Sequence, residues 1–177
     1  MAILKIGKLD AARRQLETAV RLYFAESDPV SIHTLTAAAH VVLTDLNKLH
    51  TGKTKMLTDL MLSHVREEKR QEVKRLLNEA ANFFKHADRD SLAVHDFDPA
   101  QTEIFLVDAC YKFRELTGEV VQVLGVYCTW YMLAHPAQFI LSADQTGAIS
   151  KARATFAGAS KQAFFAEMLP IASTLNL

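Results

Sequence analysis

A chain of 177 residues with 50% apolar and 23% charged side chains has the makings of one globular domain spanning 1–177, with a core that needs neither disulfides nor a structural metal. Its 20 Lys and Arg balance 20 Asp and Glu. That excludes a global field drawing the protein onto a polyanion, so a nucleic-acid site would have to be a local patch.

The first helix is predicted from about Lys8 to Glu26, with Leu9, Ala12, Leu16, Ala19, Val20 and Tyr23 on one face. The N-terminal MAILKIGKLDAARRQLE turns amphipathic at once and does not read as a signal peptide. Asp28 is placed to cap a second helix with Pro29 at its first position, where the missing N–H costs nothing. In that helix Ile32, Leu35, Ala39, Val42, Leu46 and Leu49 are spaced as a packing seam. The turn His50 to Lys53 precedes a third helix around Lys55 to Val65, and a fourth runs from about Glu67 to His86, burying Val73, Leu76, Leu77, Ala80 and Phe84. Asp88 to Phe97 is a loop.

Asp98-Pro99 repeats the start signal and opens a fifth helix that ends near Gly118. The sixth, about Glu119 to Ala134, is apolar on nearly every side and should be central. It is too short and too interrupted, by Gln122 and Thr129, for a comfortable membrane span. His135-Pro136 stops it. The last forty residues hold one or two short helices, with Gly147, Gly158 and Pro170 as breaks. The expected fold is all-α, an up-and-down bundle of about six helices, with no membrane association. Cys110 and Cys128 read as buried reduced thiols in a cytoplasmic protein.

Gly52-Lys53-Thr54 has the ending of a phosphate-binding P-loop, but Asn47 stands where that motif needs its first glycine, and no strand precedes it. His33 and His40, seven residues apart, share a helix face. They lack a third ligand at a defined spacing, so half-buried histidines at a helix–helix edge explain them as well, and neither a metal nor a cofactor is called for. The acidic loop His86 to Asp98 lacks the glycine and the final glutamate of a calcium-binding EF-hand. In NEAANFFKHADRD (Asn78 to Asp90), Asn82 and His86 lie one turn apart, with Arg75, Asn78 and Lys85 on or beside their face. Amides, an imidazole and cations together suit a phosphate, a nucleobase edge or a partner helix.

This Asn82–His86 segment resembles the motif region of the HEPN superfamily, helical bundles that include toxin ribonucleases and nucleotide-related accessory proteins. The Asp28-Pro29 helix and the NFFKHADRD run are also similar to an uncharacterised bacterial family. The HEPN pattern is an arginine, usually followed by a polar residue, with a histidine four to six intervening residues later. Counted back from His86, the arginine positions hold Glu79, Ala80 and Ala81. A second register, Arg89, Asp90 and His95, fits the spacing. The resemblance implies a homodimer with its cleft between subunits, and RNA, a nucleotide or a protein as partner. An active member would cleave RNA without metal, its histidine as general acid or base and its arginine on the phosphorane. With the arginine absent beside His86, the expectation is a non-catalytic binding module, and the alternative an endoribonuclease using Arg89 and His95.

Overall fold

The structure, a computed structural model, describes residues 3–50, 67–86 and 91–175. The expected helix at Lys55–Val65, the Gly52-Lys53-Thr54 turn and Arg89 lie outside them, as do the side chains of Val73, Leu76 and Leu77. The described residues form seven α-helices and no strand: α1 (Lys8–Phe24), α2 (Pro29–His50), α3 (Glu67–Phe83), α4 (Ala100–Thr117), α5 (Gln122–Ala134), α6 (Ala143–Thr155) and α7 (Lys161–Leu175). A single 3-10 turn, Pro136–Gln138, follows α5. The fold is an all-α helical bundle, and none of the described helices is long and apolar enough to cross a membrane.

Both Asp-Pro signals act as start points. Asp28 Oδ2 accepts the Ser31 N–H at 2.7 Å, and Asp98 Oδ1 accepts that of Ala100 at 2.9 Å; each satisfies a donor that the first helical turn leaves open. Gly118, at φ 67°, closes α4 with its N–H on the Arg114 carbonyl, a left-handed position that glycine occupies without strain. Gly158 likewise turns the chain between α6 and α7 at φ 80°.

Two expected breaks do not occur. Gly147 lies inside α6 and Pro170 inside α7. The buried contacts of Phe164 and Ala172 hold α7 on both sides of the proline, and packing of this kind outweighs one lost backbone hydrogen bond. Helix α6 is capped by Ser142, whose hydroxyl and the Gln145 side chain form a reciprocal capping box.

Helix α2 packs on α1 along one side and on α4 along another. Two sides are therefore buried, and the seam is wider than the apolar spacing predicts: Ile32, Ala37, Ala39 and Leu43 are buried, and so are His33, Thr36 and Asn47. Leu49, expected in the seam, is 79% exposed. The helix buried most nearly all round is α4 rather than α5, with Phe105, Leu106, Val107, Ala109, Cys110 and Phe113 in the core. Cys128 on α5 is only partly buried, against expectation, because it faces an open cleft beside Cys110.

The opposite side of the core is aromatic. The Phe24 ring meets those of Tyr23, Tyr127 and Trp130 edge-on and stacks on Phe165 at 4.7 Å, arrangements that the ring quadrupoles favour.

Candidate functional site

Sequence reasoning places the site on α3 and the loop after it, and the structure puts those residues at the surface over a buried imidazole. Asn82, Lys85 and His86 are exposed, as are Arg75 and Asn78 farther back along α3. The helical turn continues beyond Phe83, with the His86 N–H on the Asn82 carbonyl at 3.2 Å, which keeps Asn82 and His86 on one face. Arg75 lies 3.8 Å from Glu79 in an exposed pair, a contact of little energetic weight. On the opposite side, Ala80 and Ala81 are buried.

The rings of Phe83 and His95 stack at 5.2 Å, inclined by 29°, and both are partly open to solvent. Phe84 meets the edge of His95 and that of Phe97. His95 is thus brought up against α3, although it lies nine residues beyond His86 in a segment, 91–99, without regular structure.

Beneath this surface lies His33, 1% exposed. Phe84, Phe97 and Phe105 approach its ring at centroid distances of 5.8, 5.1 and 6.0 Å. Nδ1 is 2.9 Å from the Thr102 hydroxyl, and Nε2 is buried with no hydrogen-bond partner among the described residues. Burial first, then the nearby charges of Lys85 and His95, lower its pKa from 6.5, so the ring is neutral at physiological pH. A buried, unsatisfied imidazole nitrogen costs on the order of 1–3 kcal/mol.

Phe105 separates His33 from a second polar group deeper in the same seam; its ring lies 5.1 Å from that of His40. His40 Nε2 is 2.8 Å from Asp108 Oδ2 and 2.8 Å from Lys112 Nζ, and the ammonium is 3.2 Å from the same carboxylate oxygen. Lys112 also donates to the Thr44 hydroxyl at 3.0 Å. One nitrogen cannot donate and accept at once, so Nε2 either donates to Asp108 or accepts from Lys112, and the two states differ by one proton's position. Burial disfavours the Asp108 carboxylate, but His40 and Lys112 outweigh it and hold the group below its usual range. The sequence carries a signal for it in two opposite charges four residues apart in the otherwise apolar IFLVDACYKF.

A third cluster gathers on Glu103. Tyr23 donates to its Oε1 at 2.6 Å, His135 Nε2 lies 3.1 Å from Oε2, and the Lys161 ammonium sits 3.9 Å over the Tyr23 ring. Burial, followed by this hydrogen bond, pushes the Tyr23 phenol far above its ordinary pKa, so Tyr23 is a fixed donor that ties α1 to α4. A cleft of about 230 Å³ between α4 and α5 is lined by both cysteines, with Leu124 and Met132 on its apolar side and Arg114 and Glu119 among its polar groups. Burial, then the contact with Cys128, pushes the Cys110 thiol well up, so it stays protonated and unreactive. His33 and His40 belong to separate groups on either side of Phe105, and among the described residues no cluster of three or more His, Cys, Asp or Glu could hold a metal ion.

No family model matches the chain, and no curated protein or solved structure does either.

Proposed function

We propose that this chain is a HEPN-like binding module directed at single-stranded RNA, with no nuclease activity of its own. The observation that carries the reading is the half-open stack of Phe83 and His95 beside exposed Asn82, Lys85 and His86. An aromatic face takes any unstacked base, an amide and an imidazole meet base edges or sugar hydroxyls, and a lysine meets phosphate. A balanced net charge restricts the electrostatic contribution to this patch.

A binding role is favoured over catalysis by the burial of Ala80 and Ala81. Two of the three positions that would carry the HEPN arginine before His86 face the core, and the third is Glu79, so nothing there stabilises a phosphorane. The HEPN likeness adds a homodimer whose second subunit completes the cleft. A cytoplasmic setting is in keeping with the free thiols Cys110 and Cys128.

The test is fluorescence anisotropy with an end-labelled, single-stranded RNA of about twelve nucleotides. Replacing Asn82, Lys85 and His86 together by alanine should weaken binding about ten-fold or more, and the salt dependence should become shallower by about one counterion for the lost lysine. Failure of the native protein to bind RNA would sink the reading. RNA cleavage by the native protein that vanishes in Arg89→Ala or His95→Ala would instead make it a nuclease.

A further inference from the structure

We propose that His33 is the floor of a closed nucleobase pocket, and that segment 91–97 is the flap covering it. The inference rests on the RNA-binding reading for its setting, but its own observations lie below the surface that carries that reading.

The first is the Nε2 atom of His33, buried and unpartnered within a cage of Phe84, Phe97 and Phe105. Buried polar atoms are nearly always satisfied, and an exception calls for an explanation such as a missing ligand. The cage defines that ligand's chemistry. Three phenyl rings around a buried imidazole suit an uncharged group better than an anion, whose desolvation the rings do not offset. A planar, uncharged heterocycle stacks on the rings and presents one polar atom to Nε2, and an unstacked nucleobase has this form. The Thr102 hydroxyl, 2.9 Å from Nδ1, can donate or accept by rotating. The imidazole can therefore adopt either tautomer, and Nε2 can meet a donor or an acceptor on the base edge.

The second observation concerns access. Phe84 and Phe97 are only partly buried, so the cage wall reaches the surface. Among the described residues no backbone hydrogen bond ties 91–97 to the rest of the fold. Leu92 and Val94 are more than 90% exposed, and the rings of His95 and Phe97 supply the segment's contacts with α3 and His33. Held among the described residues by these ring contacts alone, the segment opens at low cost. Lifting it would open the His33 ring to solvent near Lys85, whose charge acts on it, where a phosphate beside an inserted base would pass.

The experiment is nitrogen-15 NMR of the histidine rings of the labelled, full-length protein. Three probes are added: a base-bearing RNA of about twelve nucleotides, an abasic sugar–phosphate strand of equal length, and free adenosine and uridine. The expected result is that the His33 Nε2 resonance moves by several ppm with the base-bearing strand and stays put with the abasic one. In anisotropy, His33→Phe should weaken the base-bearing strand about ten-fold, as for one lost hydrogen bond left unsatisfied, and leave the abasic strand unchanged. If RNA binds and the His33 resonance does not move, the pocket is refuted and the surface reading survives. If RNA does not bind but a nucleoside moves His33, the pocket stands and the RNA reading falls. If neither happens, both are wrong. The NMR arm needs no variant, so a misfolded His33→Phe would not rescue the idea.

Discussion

Replacing Lys112 by methionine isolates the electrostatics of the buried seam. The two side chains are similar in length and methionine fills irregular space well, so the change leaves little cavity. What it removes is a positive charge, 1% exposed, 3.2 Å from a carboxylate that is equally buried. At an effective dielectric constant of about 20, unit charges at that distance attract by about 5 kcal/mol. Stripping one partner from a buried pair typically costs about 3–5 kcal/mol. His40 remains 2.8 Å from Asp108 and can take up a proton as a substitute counter-ion, so the lower end, about 3 kcal/mol, is expected. Asp108→Leu alone should cost about as much, because it strands the ammonium. The double variant removes both charges and should be less destabilised than the sum by about 2–3 kcal/mol. Urea unfolding at pH 7, followed by circular dichroism, measures all three. The pH dependence adds a check of sign. The Asp108 carboxyl is held below its usual 3.8, so the stability it contributes is complete above that value and is lost as pH falls through the depressed one. Lys112→Met should therefore move acid unfolding to higher pH. Additivity of the two single changes within about 0.5 kcal/mol would refute the reasoning.

Asn82→Ala and His86→Ala, on the exposed face of α3, should each change unfolding free energy by no more than about 0.5 kcal/mol. Ala81→Arg, which puts an arginine at HEPN spacing, should instead cost about 2 kcal/mol or more by forcing charge and bulk into the core; a stable, RNA-cleaving Ala81→Arg protein would contradict this placement. Because burial lowers the His33 pKa from 6.5, the unfolded chain takes up this proton first as pH drops. Stability from this group is therefore full above 6.5 and falls below it by up to about 1.4 kcal/mol per pH unit, down to the depressed value. Chemical denaturation between pH 7 and 5 should show that slope in the native protein and a flatter one in His33→Phe. Ser142→Ala, which opens the capping box of α6, should cost about 1 kcal/mol by thermal or chemical unfolding, and a cost near zero would mean that this helix end is satisfied in another way.

What was legible in the sequence was local. Asp28-Pro29, Asp98-Pro99 and Gly118 mark helix ends because their chemistry acts within three or four residues, and α2 and α4 begin or end at them. Pro170 and Gly147 carry the same kind of local signal and were overruled by tertiary packing. The surface positions of Asn82, Lys85 and His86 followed from helical spacing. The polar seam did not, since His40 meets Asp108 and Lys112 across separations of 68 and 72 residues. Spacing could show that His33 and His40 shared a face, but not that a second helix carried their partners. Spacing pairs His95 with Arg89, which lies outside the described residues, and the stack of His95 on Phe83 is a tertiary contact that spacing does not show.

Along α2, His33, Thr36, His40, Thr44 and Asn47 recur every three or four residues, and α4 answers with Thr102, Asp108 and Lys112. Apolar ridges tolerate sliding, because a leucine one turn along offers much the same surface. These pairs do not. A slip of α2 by one turn, about 5.4 Å, would bring Thr36 or Thr44 to the level that His40 holds against Asp108 and Lys112, and the carboxylate would face a hydroxyl in place of the imidazole. The observed alignment sets His33 against Thr102 and His40 and Thr44 against Asp108 and Lys112, so the seam acts as a vernier that fixes the axial setting of α2 on α4. That setting places His33 beneath Phe84 and Phe97. The level of the surface site is thus ruled from inside the bundle, by His40, Thr44, Asp108 and Lys112 on the far side of Phe105.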